Sequence, residues 1–567
     1  YPVYTGMHDF SGNKLSPDVP TLASVLRANG YATGAVIGAE VLDSRFGLNS
    51  GFDFYYDHFN VRLLREADLD ENERPGNEVM DIALDWLKQN QQRPFFLWIH
   101  LYDPHYPYHP PAPFSDEYKD RLYDGEIAFA DAQVGRLLRY LKQHQLYDRS
   151  LIALTGDHGE GLGEHGEKTH GFFIYNSTMH VPLIFKLAGV PPRQARRQVS
   201  PPAILVDVMP TVLNALHVEV PADVQGHSLL PLMEGKKQEG VSDIYGESFL
   251  PRLHFNWSEL RGIEIGNLHF IDAPKPEIYD LSADPQELHN LYSQKIALAS
   301  EYQRRLTEAV TRYSSDKSTT EKTGLDPQLL ERLKSLGYAA VSGGGDPGIS
   351  NSSLADPKDK IQTYESISEA IEDSQHGRFQ PSIARLETAA KSEPDSVPIH
   401  YLLALNYFRS GDLKSAVPEF EKVVKLDPTY ALALSDLGEV YGRLGEDDKA
   451  ITSLKQALQI DATNFTAAYN LGVVYLKESD LPNAAEAFQQ SVKINPNYVQ
   501  GHRALGQVFL ASGDAARAVE ELRTASHLEP GNPDLHALLA KALAANGLTS
   551  EAAEEAERAQ QLAAPNR

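Results

Sequence analysis

Residues 151 to 185 read LIALTGDHGEGLGEHGEKTHGFFIYNSTMHVPLIF. The apolar run from Leu151 to Leu154 predicts a short buried strand, and the apolar residues around Pro182 predict a second one. Between them lie carboxylate, imidazole and ammonium side chains, separated by five glycines at positions 156, 159, 161, 163 and 166. Ligands in open α/β sheets bind at the carboxyl ends of strands. This loop is therefore either a ligand site or an ordinary solvated connection between two strands.

Asp157 and His158 follow the first of these strands directly. A carboxylate and an imidazole on a glycine-rich turn can reach one cation together. Oxygen and nitrogen ligands of this kind suit Ca²⁺, Mg²⁺, Mn²⁺ or Zn²⁺, and the pair alone does not choose among them. A single histidine in such a loop is more often a surface residue than a ligand, so the argument depends on the whole string.

The segments TGDHGEGLGEHG, THG and VPLIF together resemble the metal-binding segment of bacterial sulfatases, within the alkaline phosphatase superfamily. The resemblance implies that Asp157 and His158 ligate one divalent metal, with Ca²⁺ expected and Mg²⁺, Mn²⁺ or Zn²⁺ as alternatives. It makes His170 a catalytic residue at the sulfate or the leaving oxygen. It also implies that His165 and Lys168 bind substrate.

A further histidine follows another apolar run, FFLWIHLY, which predicts a buried strand ending before Asp103 and Pro104. His105 comes next, and the proline keeps this segment out of a helix. The family resemblance places His105 at the substrate as a hydrogen-bond donor or general acid, and its position past the end of a strand favours that role. A structural role is the interpretation for His100 and His109.

Residues 1 to 60 resemble the sulfatase segment just after the nucleophile motif, through a YP…G turn, PTLA..L...GY.T and RFGL..GFD.Y. Ser16 and Pro17 predict the start of a helix there. Many sulfatases carry Lys-x-His where this chain has Val36 to Glu40, so a phosphatase, phosphodiesterase or phosphonate hydrolase of the same superfamily stays open. The resemblance further implies that the nucleophile and the first metal aspartates precede Tyr1. The chain is therefore expected to be N-terminally truncated, without its nucleophile, and inactive by itself.

Composition sets further limits. The chain has 567 residues, which is too long for one core, and its net charge of −26 argues against nucleic acid as a partner. There is no cysteine, so neither disulfides nor thiolate metal sites are expected. Compartment is not readable; an extracytoplasmic or membrane-associated protein is expected only if a missing N-terminus carries a signal.

The second half of the chain repeats with a period of about 34 residues, which is typical of the tetratricopeptide repeat. Prolines, glycines, alanines and aromatic residues recur on this grid: Pro394, Pro428, Pro496 and Pro530; Gly438, Gly472 and Gly506; Ala416, Ala450, Ala484, Ala518 and Ala552; Tyr407, Tyr441, Tyr475 and Phe509. Small residues allow two helices to approach closely, and proline ends a helix.

The predicted organisation has three parts. Residues 1–315 form an α/β alkaline-phosphatase-like sulfatase domain whose small C-terminal sheet includes residues 259–292, residues 316–358 form a short helix and flexible linker, and residues 359–567 form about six all-α tetratricopeptide repeats. The predicted function is metal-dependent hydrolysis of sulfate monoesters, with the repeats binding a protein or peptide. The alternative from another class is a non-catalytic scaffold whose enzyme-like domain has degenerated.

Overall fold

The computed structural model describes residues 1–8, 13–59, 73–190, 198–236, 243–314, 320–322 and 354–563. The chain divides into two compact units, Tyr1–Glu365 and Ser366–Arg567. The short helix predicted within 316–358 lies outside the described residues. Within the part of the chain that the structure describes, no helix has the length and apolar character needed to cross a membrane.

One sheet of the N-terminal unit is parallel, and its strands are β2 (Ala32–Val36), β3 (Phe54–Tyr56) and β4 (Phe95–Ile99). They lie in the order β3-β2-β4. Every residue of β2 is buried, as its apolar sequence predicts for a strand covered on both faces. Helix Gly76–Asn90 packs on this sheet so closely that a Cβ at Gly34 would lie 2.6 Å from the ring of Trp86.

The other helices of at least six residues in this unit's described part before Ile361 are Leu22–Ala28, Leu122–Gln143, Val208–Ala215, Leu250–Phe255 and Ile296–Tyr313. The helix start predicted at Ser16 and Pro17 is wrong. The helix begins at Leu22 because Thr21 and Ser24 cap it reciprocally, each side chain hydrogen-bonding the other residue's backbone.

The strands that flank the glycine-rich loop are β5 (Ile152–Thr155) and β6 (Leu183–Lys186), which pair antiparallel with each other. The two predicted strands are present, but the prediction that they are buried is wrong. Exposure alternates along β5, and the side chain of Ile184 in β6 is 59% exposed. Successive side chains of a strand point to opposite faces, so this pair has one covered face and one face in contact with solvent.

A second, antiparallel sheet has the order β10-β9-β8-β7. Its strands are β7 (Ile244–Ser248), β8 (Leu260–Ile265), β9 (Leu268–Asp272) and β10 (Glu277–Asp280). Helix Ile296–Tyr313 packs against it through Tyr302 and Leu306. Residues 172–175, which follow the glycine-rich loop, pack in a second cluster with Leu260 and Ile271. The loop is therefore attached to the small sheet. A further short antiparallel pair joins β1 (Asn13–Leu15) and β11 (Thr320–Lys322).

The repeats are formed by consecutive helices: Ile361–Gln375, Phe379–Ser392, Val397–Arg409, Leu413–Leu426, Ala431–Leu444, Asp447–Ile460, Phe465–Lys477, Leu481–Ile494, Val499–Ala511, Ala515–Leu528, Pro533–Ala545 and Thr549–Ala563. The recurring glycines lie where helices approach closely. A Cβ at Gly472 would lie 2.7 Å from the ring of Phe488, and one at Gly506 would lie 2.6 Å from Leu522. This confirms the packing role that the sequence predicts for these small residues.

Candidate active site

Three of the predicted site histidines lie together at the end of β4 and on the glycine-rich loop. The rings of His158 and His170 stack with centroids 4.0 Å apart, and the ring of His105 meets His170 edge-on at 5.2 Å. Asp157 lies beside them, with its carboxylate 3.8 Å from Nε2 of His158 and its side chain 80% exposed. The structure thus brings residues from two distant parts of the chain into one cluster.

The glycines of the loop permit this arrangement because the backbone folds back on itself. The N–H of Gly161 donates to the carbonyl of Thr169 at 2.6 Å, and the N–H of Gly163 donates to the carbonyl of Glu167 at 2.7 Å. A Cβ at Gly161 would lie 2.6 Å from two of these carbonyl oxygens. Glycine is therefore required at position 161, and its close approach brings His170 back to His158.

His170 has a second partner that the sequence analysis did not identify. Its Nδ1 lies 3.3 Å from both carboxylate oxygens of Glu160, whose side chain is only 4% exposed. An ionised carboxylate can only accept, so Nδ1 of His170 is the donor in this contact. In the neutral imidazole, the other ring nitrogen, Nε2, is then an acceptor. Glu160 stands two residues after His158, and this proximity was the signal available in the sequence.

His105 is held by groups from two other elements. Its Nε2 lies 2.8 Å from the hydroxyl of Tyr102, and the two rings stack at 4.0 Å. The carboxylate of Glu126, on helix Leu122–Gln143, accepts the backbone N–H of His105 at 3.0 Å and that of His109 at 2.6 Å. Among the described residues, Nδ1 of His105 has no hydrogen-bond partner of good geometry. Glu126 thus fixes the backbone at His105, from which the ring extends.

Burial shifts the protonation of these groups. It lowers the pKa of His105 to about 3, with the neighbouring His170 adding to the effect. It raises the pKa of Glu126 to about 7, to which the carboxylates of Asp103 and Glu160 contribute. An apolar environment disfavours the charged form of either type of group. The His105 imidazole is therefore neutral at neutral pH in this geometry.

His100 and the segment Val36 to Glu40 lie side by side at the ends of β4 and β2. Nδ1 of His100 accepts the backbone N–H of Gly38 at 3.2 Å, and burial lowers the pKa of His100 to about 4. A Cβ at Gly38 would lie 2.9 Å from the carbonyl oxygen of His100 and 3.0 Å from the backbone nitrogen of Tyr102. The backbone thus occupies the space that a side chain at position 38 would need.

The two remaining predicted substrate residues make contacts elsewhere. His165, at a positive φ of 54°, stacks on Tyr175 at 3.6 Å, and its Nε2 lies 3.0 Å from the carbonyl oxygen of Gln286. The backbone N–H of Lys168 donates to Glu365 at 3.1 Å. The first contact attaches the loop to the segment that follows the small sheet, and the second attaches it to helix Ile361–Gln375.

The donor set agrees in kind with a divalent cation. Asp157 offers an exposed carboxylate and His158 an imidazole, which are oxygen and nitrogen ligands suited to such ions. Within the described residues, no group of three or more histidine, cysteine, aspartate or glutamate side chains is arranged to hold a metal. Asp157 and His158 are thus two donors of a suitable kind, which is fewer than the three or more protein ligands of an ordinary divalent-metal site.

Comparison with known families agrees with both halves of the chain. A model of the sulfatase family matches residues 1–218, and a model described as N-sulphoglucosamine sulphohydrolase, C-terminal, matches residues 163–315. Tetratricopeptide-repeat models match residues 404–445, 443–479, 465–498 and 509–566.

Similar proteins include arylsulfatase K of Xenopus laevis, 25% identical over 52% of this chain and 69% of that protein. An arylsulfatase of Clostridium perfringens is 26% identical over 41% of this chain and 56% of its own length. An N-acetylglucosamine-6-O-sulfatase of Bacteroides thetaiotaomicron is 32% identical over 30% of this chain and 32% of its own length.

Among solved structures, BT4656 in complex with D-glucosamine-2-N,6-O-disulfate matches with a TM-score of 0.43 and 20% identity, over 55% of this chain and 85% of that one. MamA matches with a TM-score of 0.28 and 26% identity, over 29% of this chain and 91% of that one. The family matches lead to one conclusion, with which the parallel and the antiparallel sheet agree. This chain carries an N-terminal sulfatase-family domain followed by tetratricopeptide repeats.

Proposed function

We propose that the complete protein is a metal-dependent hydrolase of sulfate monoesters whose repeats bind a protein or peptide partner. The observation that carries this proposal is the cluster of His105, His158 and His170 beside the exposed carboxylate of Asp157. A cluster of imidazoles next to a carboxylate–histidine pair of the kind that binds metals suits an anionic ester, whose oxygens need a cation and polar partners.

In this proposal Asp157 and His158 hold one divalent cation, with Ca²⁺ first and Mg²⁺, Mn²⁺ or Zn²⁺ as alternatives. When bound, such a cation stabilises negative charge that develops on the ester oxygens. His170, oriented by Glu160, and His105, held by its backbone to Glu126, meet the sulfate and the leaving oxygen. Their fixed geometry aligns the ester before reaction, which is where positioned side chains contribute most.

His165 and Lys168 are proposed as further substrate contacts at the outer side of the loop. The side chain of Lys168 is 56% exposed, so its ammonium can contact an anionic part of a substrate that approaches from solvent. The protein's net charge of −26 repels anions, and a local cation at the site offsets that field.

A phosphate-ester hydrolase is the second candidate, because the chain departs from the common sulfatase pattern in the segment from Val36 to Glu40. Gly38 stands within the segment where many sulfatases carry Lys-x-His, and the backbone of His100 and Tyr102 leaves no space for a side chain at that position. No side chain at position 38 therefore contacts a bound anion. The preference of the site for sulfate or phosphate depends on other groups.

The test is a direct assay of the complete protein on an aryl sulfate and an aryl phosphate, with each of the four cations supplied in turn. We expect faster turnover of the sulfate and loss of turnover with chelator. A preference for the phosphate would replace the first candidate by the second. No turnover of either ester in the metal-loaded protein would contradict both.

A further inference from the structure

The segment from Leu354 to Glu365 contains the short 3₁₀ helix Pro357–Asp359 and the first five residues of helix Ile361–Gln375. The repeat pattern predicts that it belongs to the linker and to the first repeat. In the structure, however, it belongs to the same compact unit as the sulfatase domain, which extends to Glu365.

Hydrogen bonds attach the beginning of this segment to the small sheet. The backbone N–H of Ser258 donates to the carbonyl of Ala355 at 2.9 Å, and the backbone N–H of Lys275 donates to the carboxylate of Asp356 at 2.8 Å. Asp356 is only 3% exposed, and the ammonium of Lys358 lies 3.1 Å from its carboxylate. Buried contacts to a charged group are stronger than exposed ones, so the segment is firmly placed.

The next residues cover the glycine-rich loop. Tyr364 stacks on Phe172 with ring centroids 4.4 Å apart, and Phe172 has no exposed surface. Ile361 lies over Gly166, where an added Cβ would be 3.4 Å from its side chain. The first turn of helix Ile361–Gln375 therefore supplies part of the apolar surface against which the loop packs.

Glu365 makes the polar contact to the same loop. One carboxylate oxygen accepts the backbone N–H of Lys168 at 3.1 Å, and the other lies 3.9 Å from the Lys168 ammonium. The Glu365 side chain is only 14% exposed. Lys168 stands two residues before His170, whose ring forms the centre of the histidine cluster.

We propose that Glu365 is a positioning residue for the candidate active site: its carboxylate holds the glycine-rich loop at the Lys168 backbone and thereby fixes the orientation of His170. The contact itself is independent of the chemistry at the site, whereas its effect on turnover rests on the proposed function. The sulfatase domain then depends on a residue that the sequence pattern assigns to the first repeat.

The experiment compares three variants of the complete protein. Glu365→Ala removes the acceptor, Glu365→Gln keeps an amide oxygen for the Lys168 N–H, and Glu369→Ala is the matched control. Glu369 stands one turn further along the same helix and pairs with Arg385 at 2.7 Å. Trypsin cleavage after Lys168, followed by mass spectrometry under native conditions, reports how often the loop opens.

We expect Glu365→Ala to be cut at this bond about tenfold faster than the wild type, and the other two variants at close to the wild-type rate. In hydrolysis of an aryl sulfate, we expect kcat of Glu365→Ala to fall roughly tenfold because His170 loses its alignment, and KM to rise by a smaller factor because Lys168 is a proposed substrate contact. Glu365→Gln should recover most of kcat, which a merely structural loss would not allow.

Unchanged cleavage at Lys168 in Glu365→Ala would overturn the proposal. Faster cleavage with unchanged kcat would overturn the link to His170. Faster cleavage in a protein that turns over no ester, wild type included, would support the loop contact and contradict the proposed function instead. Far-UV circular dichroism of each variant confirms that folding is intact.

Discussion

A histidine on the repeats offers a sharp test of how these helix pairs are held together. Nδ1 of His502 lies 2.6 Å from a carboxylate oxygen of Glu521, and Nε2 lies 2.9 Å from the carbonyl oxygen of Pro496. Both partners are acceptors, so both ring nitrogens must carry protons for both bonds to form. The same pair of contacts recurs in two other repeats: His400 with Glu419 and Pro394, and His536 with Glu555 and Pro530.

The chain supplies its own comparison for a substitution. In the two intervening repeats the equivalent pairs are Leu434 with Ser453 and Ala468 with Ala487, so histidine and glutamate occur together or are both absent. We predict that His502→Leu lowers the free energy of unfolding by about 2–3 kcal/mol, because it removes bonds to a charged group and leaves the Glu521 carboxylate without them. The double change His502→Leu with Glu521→Ser should recover about half of that loss.

The pH dependence has a definite sign. Burial opposes the charged form of His502, but the hydrogen bonds to Glu521 and Pro496 outweigh burial and raise its pKa above the ordinary 6.5. A cationic group whose pKa is raised by folding contributes stability that is fully present below about pH 6.5 and is lost as pH rises through the folded-state pKa. The advantage of the wild type over the double variant should therefore shrink as the pH rises above about 6.5 and through the raised pKa of His502.

Urea unfolding followed by far-UV circular dichroism at several pH values measures these differences. The reasoning is refuted if His502→Leu is destabilising by less than about 0.5 kcal/mol, a size typical of surface substitutions. It is equally refuted if the wild type and the double variant show the same pH dependence, because the double variant lacks the titrating group.

The remaining predictions concern the metal pair, the repeats and their packing. Asp157→Ala should lower bound metal in the complete protein, whereas His170→Ala should retain metal and lose turnover; elemental analysis with equal metal in Asp157→Ala and wild type would contradict the ligand assignment. Residues 359–567 expressed alone should give a helical circular dichroism spectrum and a cooperative melt, because each repeat packs only on its neighbours. Gly472→Ala should lower the free energy of unfolding by about 1–3 kcal/mol, since its Cβ meets the Phe488 ring. Gly531→Ala, with no atom within 4 Å of its Cβ, should change it little.

The repeats could be predicted from sequence because their contacts are local and periodic. Each helix pair closes within one 34-residue unit, so the residue types that close it recur at the same spacing. Pro394 follows the end of helix Phe379–Ser392, and Pro428 follows the end of helix Leu413–Leu426. The structure confirms these helix ends as the proline pattern predicts.

The candidate site was predictable only in part. The string around Asp157 and His158 identified the loop, and His170 and His105 do lie beside His158. Glu126 could not be found in this way, because its carboxylate comes from a helix about twenty residues further along the chain. From an amphipathic helix pattern, a glutamate such as Glu126 is predicted to lie on the solvent-exposed face, whereas here it is buried.

The sequence by itself determined which two kinds of domain this protein has, and it named the residues that are predicted to contact a metal and an anionic ester. Motif strings and a fixed period are local properties of the sequence, so they can be recognised without knowledge of the fold. Only the tertiary structure decided that β5 and β6 leave one face exposed, and that Glu365 from the first repeat helix holds Lys168. The contact between Glu365 and Lys168 joins residues 197 positions apart, and packing between such distant segments leaves no regular spacing in the chain from which it could be predicted.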